Sequence, residues 1–236
     1  MSNTNVIPKI GNYEVGTEVI NFTYRFDTIL STLPLPLHSK EGFASLCTEL
    51  KPFGISITDI NADMGSNNLG ELGMTVRLLD GIAVLRITYE NFDINFEVKK
   101  PNSKAILSDL LYSTCKIIES MYGELKQGIV QIRWSGHLLS NGELNVVMSD
   151  YATIKGNTIA KLSPDIVIYN VDFDKTEAHK AKVLIGNSKL YPNEGIYIEC
   201  QITYWVSGDP TGVLQQFDKD LYQVIAALNL DVKLEK

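Results

Sequence analysis

Asp59, Asn61 and Asp63 set three oxygen-bearing side chains at alternate positions of Asp59-Ile60-Asn61-Ala62-Asp63-Met64-Gly65, a pattern that could grip a hard divalent cation. An EF-hand loop also needs glycine at its sixth position and a bidentate glutamate at its twelfth. Here Gly65 and Glu71 each fall one residue late, and the flanking residues read as strands where an EF-hand has helices. The three residues stay as candidate metal ligands, set against a polar turn between strands, which Asp, Asn and Gly also favour.

A second acidic group, Asp172, Asp174, Glu177 and His179, combines carboxylates with an imidazole, as metal binding or acid–base chemistry requires. Lys175, Lys180 and Lys182 are interleaved with it, which fits a solvated strand end better. His38 and His137 read as surface residues. The chain has no nucleophile elbow, no zinc-protease helix motif and no phosphate loop with its lysine. Gly208-Asp209-Pro210-Thr211-Gly212 opens a helix and could meet an anion, but the proline removes a donor and capping explains the segment. No cofactor is expected.

One pattern points to binding. In the strand predicted over 195–206, Ile196, Ile198, Cys200, Ile202, Tyr204 and Val206 form the apolar side. The opposite side carries Tyr197, Glu199, Gln201, Thr203 and Trp205. Aromatic groups among neutral polar ones mark interfaces, so Tyr197, Gln201, Thr203 and Trp205 are the candidate partner-binding residues. A covering helix would explain the same pattern.

The elements that position these residues follow from periodicity. Leu72, Met74, Val76 and Leu78 alternate inward, then Ala83, Leu85, Ile87 and Tyr89, then Phe92, Ile94, Phe96 and Val98. Two-residue turns at Asp80-Gly81 and Glu90-Asn91 would keep the three sets on one face of a meander. Further strands are predicted over 13–27, 54–60, 164–173 and 181–189. A hairpin is expected about Asn141-Gly142, with Arg133 opposite Asp150 and Trp134 opposite Ser149.

Three amphipathic helices are expected. Ser39 caps the first, whose stripe is Phe43, Leu46, Cys47 and Leu50. Ser103 caps the second, with Leu107, Leu110, Leu111, Ile117, Ile118 and Met121 as its stripe and Gly123 as its stop. Asp209 caps the third, which runs through Leu214, Phe217, Leu221, Val224, Ile225 and Leu228. The fold class is therefore α+β: an antiparallel sheet of about nine strands, in hairpins and meanders, with three helices packed on it. Residues 1–236 read as a single domain that admits two halves, 1–124 and 125–236, each a strands-then-helix unit in a pseudo-repeat.

Composition narrows the function. The 236 residues carry a net charge of −7 and 44% apolar side chains, which suits a water-borne domain with its own core. The negative balance argues against nucleic acid and against an anionic membrane surface. The polar start, Met1-Ser2-Asn3-Thr4-Asn5, lacks the pattern of a secretory leader, and no stretch approaches the roughly 18 apolar residues of a membrane helix. Cys47, Cys115 and Cys200 are odd in number, widely spaced and set in apolar segments, which suits reduced thiols in a cytoplasmic protein.

The expectation is a non-enzymatic binding or assembly subunit that meets a protein partner or forms a homo-oligomer. The alternatives are a metal-dependent hydrolase or nuclease built on an acidic cluster, and a chaperone-like module holding extended peptides.

Overall fold

The computed structural model describes residues 10–27, 35–63, 65, 71–99, 102–125, 127–139, 166–172, 179–192, 194–228 and 230–232. The strands are β1 (Ile10–Phe26), β2 (Ile60–Asp63), β3 (Gly73–Leu78), β4 (Ala83–Thr88), β5 (Asn91–Val98), β6 (Gln127–Leu139), β7 (Ile166–Asp172), β8 (His179–Asn187), β9 (Gly195–Ser207) and β10 (Leu230–Val232). The helices are α1 (Lys40–Leu50), α2 (Ser103–Tyr122) and α3 (Val213–Ala227). Nine strands form one antiparallel sheet in the order β2-β3-β4-β5-β1-β6-β9-β8-β7. The short β10 runs parallel to the start of β1.

The α+β class follows from these elements. In each half of the chain the first strand lies beside the last strand of that half's meander: β1 beside β5, and β6 beside β9. β1 and β6 are themselves paired, from Glu14–Leu139 to Phe26–Gly128, so the sheet runs continuously through both halves.

The inward side chains of the meander stay in phase. Met74, Ile87 and Phe92 make one cross-strand row, Val76, Leu85 and Ile94 the next, and Leu78, Ala83 and Phe96 the third. All nine are at most 1% exposed. The rows continue into Ile20, Phe22 and Tyr24 of β1 and into Val130, Ile132 and Trp134 of β6. The buried stripes of the three described helices join this same core, so these helices cover one face of the sheet.

The local signals act largely as read. Ser39 Oγ accepts from Gly42 N at 2.8 Å and caps α1. Gly123 has φ +81° and ends α2, its N–H bonded to Glu119 O. Asp209 Oδ1 accepts from Thr211 N at 2.9 Å before the turn Pro210–Gly212 that leads into α3.

Other expectations are corrected. Asn102, with φ +72°, is the N-cap of α2, while Ser103 is its first helical residue and is buried. Residues Ile57–Asp59 form a single tight turn of helix, and the strand expected there begins only at Ile60. The first meander turn keeps the expected register, closed by Ile82 N bonding Leu79 O at 3.2 Å.

The second turn centres on Tyr89-Glu90 instead of Glu90-Asn91, because Ile87 pairs with Phe92. Thr88 decides that placement. Its Oγ1 is buried and accepts from Asn91 N at 3.0 Å and from Glu90 N at 3.2 Å. The resulting slip in pairing is two residues, so every side chain keeps its face.

The Arg133–Asp150 and Trp134–Ser149 pairs are not realised. Arg133 stands between Asn21 and Gln201, and Trp134 between Ile20 and Cys200, so β1 and β9 occupy both edges of β6. Asn141-Gly142, Ser149 and Asp150 lie outside the described residues.

Candidate binding face

Strict alternation sends every second side chain of the nine strands away from the helices. On β9 those residues are Tyr197, Glu199, Gln201, Thr203 and Trp205, and β9 is flanked by β6 and β8. Tyr197, Glu199, Gln201 and Thr203 are half-buried among their strand neighbours, whereas Trp205 is 65% exposed. All four candidate partner-binding residues therefore lie along one side of one central strand.

Two contacts fix the Gly195 end of this line. The Tyr197 ring sits 4.9 Å from that of His137, and its hydroxyl donates to Glu199 Oε2 at 2.8 Å. Burial foremost, then the Glu199 carboxylate, raises the Tyr197 phenol above its ordinary range. Nδ1 of His137 lies 2.8 Å from Ser188 Oγ, and burial lowers its imidazole below the usual histidine value. His137 is half-buried, so only His38 is exposed as expected of both.

At the other end Trp205 lines a cleft of about 560 Å³, together with Arg25, Asp27, Glu90, Ile129 and Ser207. Trp205 pairs with Ile129 on β6. Its neighbour Tyr204 pairs with His179, where the described part of β8 begins. An indole 65% exposed can offer much of its face to an incoming surface.

The candidate metal ligands sit at the far edge of the sheet. Asp59 ends the tight turn Ile57–Asp59, whereas Asn61 and Asp63 are exposed on β2, opposite Thr75 and Gly73. An extended strand separates alternate residues by roughly 6.6 Å, so the backbone does not curl these oxygens about a common centre. Asp63 Oδ1 instead accepts from Gly65 N at 3.3 Å. Of the second acidic group, Asp174 and Glu177 lie outside the described residues, and Asp172 pairs with Lys180 across β7 and β8. No three His, Cys, Asp or Glu side chains among the described residues come together as metal ligands would.

His179 belongs to a different group, which sequence reasoning missed. Its Nε2 lies 2.8 Å from Asp220 Oδ2, which also accepts from the Tyr204 hydroxyl at 2.8 Å. Gln216 Nε2 donates to the other carboxylate oxygen at 2.9 Å. Asp220 is 2% exposed and lies on α3 one position before Leu221, inside the apolar stripe. A carboxylate in that stripe was the available signal, since burial demands partners. The group ties α3 to β8 and β9 and faces the core, away from the Trp205 side.

Arginine placement was missed too. The chain has four arginines, Arg25, Arg77, Arg86 and Arg133. Each alternates with core residues on its strand, so all four lie on the face of the sheet opposite the described helices. No helix of the described residues is long and apolar enough to cross a membrane. No protein-family model, no curated protein and no solved structure matches this chain.

Proposed function

We propose that this protein is a non-enzymatic binding or assembly subunit that uses the face of its sheet opposite the described helices to meet a protein partner or a second copy of itself. The observation that carries this reading is Trp205, 65% exposed, lining a cleft and in line with Tyr197, Gln201 and Thr203 on β9. An exposed indole costs solubility, and tryptophan is enriched among residues that dominate interface energies. The rest of the face supports the same use. It is largely polar, with apolar exposure at Ile166 and Ile168 of β7, and is built on central strands paired on both sides, so docking would require little reordering of the backbone.

The test compares the intact chain with Trp205→Ala. Light scattering across a concentration series reads self-association, and affinity capture with both chains reads a partner. The reading expects a complex that Trp205→Ala weakens by tenfold or more, on the order of the 2 kcal/mol typical of a hot spot. A strict monomer that captures the same proteins with and without Trp205 would overturn it.

A further inference from the structure

The cross-strand register lays a single row of side chains over the face opposite the described helices. From β3 to β7 it reads Arg77, Val84, Asn95, Asn21, Arg133, Gln201, Lys182 and Asn170. The row crosses eight strands, carries three cations and four carboxamides, and contains no acidic residue. Arg77, Arg133 and Lys182 are exposed and take part in no ion pair among the described residues. In a chain whose net charge is −7, such a line is a segregation of charge, not an average property.

We infer that this row is the docking line for an acidic segment of a partner protein, held in extended form across the strands. The inference rests on the binding reading above and adds the chemistry of the partner. Arginine presents a planar fork that takes a carboxylate with two parallel hydrogen bonds. A carboxamide offers both a donor and an acceptor, which matches the two faces of a peptide group.

Spacing favours protein over nucleic acid. Strands about 4.8 Å apart put Arg77 and Arg133 roughly 19 Å apart, and Arg133 and Lys182 roughly 10 Å apart. An extended peptide of polyproline II form, rising about 3.1 Å per residue with three residues per turn, matches those gaps along one of its sides with acidic side chains at its first, seventh and tenth positions. A nucleic-acid strand bears a charge about every 3.4 Å and would leave most of its phosphates against neutral amides. The chain's overall negative charge adds long-range repulsion to any long polyanion.

The probe is a labelled ten-residue peptide with Glu at positions 1, 7 and 10 and Ser, Thr or Asn elsewhere. Its all-Gln counterpart and a ten-nucleotide oligothymidylate serve as comparisons. Binding is read by fluorescence anisotropy at low and at physiological salt, on the full chain and two double variants. Arg77→Gln with Arg133→Gln alters the row, and Lys116→Gln with Lys219→Gln removes the same charge from exposed positions on α2 and α3. Thermal melting confirms that each variant is folded.

The expected result is salt-sensitive binding of the acidic peptide, weakened about tenfold by the row variant and little changed by the helix variant. Arg133→Lys should lose part of the affinity although it keeps the charge, because lysine cannot form the paired bonds. Equal loss in both double variants, or equal binding of the all-Gln peptide, would overturn the inference. So would tighter binding of the oligothymidylate, which would make the row a nucleic-acid surface. If the peptide fails while Trp205→Ala still disrupts a complex, the acidic-partner inference falls and the binding reading stands.

Discussion

The Tyr204 hydroxyl donates to Asp220 Oδ2 at 2.8 Å inside the core, joining β9 to α3 through a carboxylate that is 2% exposed. A carboxyl group so placed is costly unless its oxygens find donors, and His179 and Gln216 join Tyr204 in supplying them. Asp220→Ala should therefore destabilise the protein by about 3 kcal/mol, and Tyr204→Phe by about 1.5 kcal/mol. Urea denaturation of both singles and the double would show coupling of about 1 kcal/mol or more. Simple additivity would mean that the hydroxyl and the carboxylate act independently.

The architecture was largely legible because the sheet is amphipathic. Met74, Leu85 and Ile94 share a face, as their alternation requires, and the capping residues Ser39 and Asp209 stop or start helices where their chemistry allows. What was not legible turned on long-range partners. Arg133 had a plausible neighbour in Asp150 through a nearby turn signal, but β1 and β9 take both edges of its strand. Nothing local to Arg133 announces a strand more than a hundred positions earlier. The turn after β4 slipped because Thr88 is a strand former by type and a turn lock by its hydrogen bonds. The arginine row was encoded in strand parity, but its alignment required the pairing of all the strands.

His137 gives the stability a direction with pH. Burial holds its imidazole below the ordinary histidine range, so its folded value lies under its unfolded one. Between those values the unfolded chain binds more protons, and stability falls as the pH drops from about 6.5 toward the folded value. Above that window the group is neutral in both states and contributes no pH dependence. Urea midpoints at pH 7.5 and 5.0 should differ less in His137→Gln than in the parent chain. Parallel shifts in both would show that other groups account for the whole dependence.

The cysteines should separate by reactivity. Cys200 is fully buried, and burial first, with the Asp220 and Glu199 charges, pushes its thiol up to about 12. Cys115 is also buried, and burial raises its thiol strongly. Cys47 is half-buried on α1. Since the thiolate is the reactive form, a disulfide reagent at pH 8 should modify Cys47 first in the native protein. Cys115 and Cys200 should follow only at the rate of unfolding, and all three should react at once in urea. Prompt reaction of Cys200 under native conditions would mean that the β9 core opens locally.

Tyr24 makes the last prediction, because its hydroxyl is buried with no hydrogen-bond partner among the described residues. Its ring is well used: it stacks on Phe92 at 5.4 Å and meets Phe26 edge-on at 5.8 Å. Burial, with Cys115 and Asp27 nearby, pushes its phenol up to about 12, so it stays neutral across the physiological range. An unmatched polar atom in the core costs about 1–3 kcal/mol, while the ring contacts survive its removal. Tyr24→Phe should accordingly stabilise the protein by about 1 kcal/mol in urea denaturation. Gly128→Ala should do the reverse, since a Cβ there would lie 2.4 Å from Tyr24 Cζ. Phenylalanine keeps that carbon, so Tyr24→Phe should not rescue Gly128→Ala. A loss of stability in Tyr24→Phe would instead reveal that the hydroxyl holds a bond in solution, and rescue would place the clash on the oxygen alone.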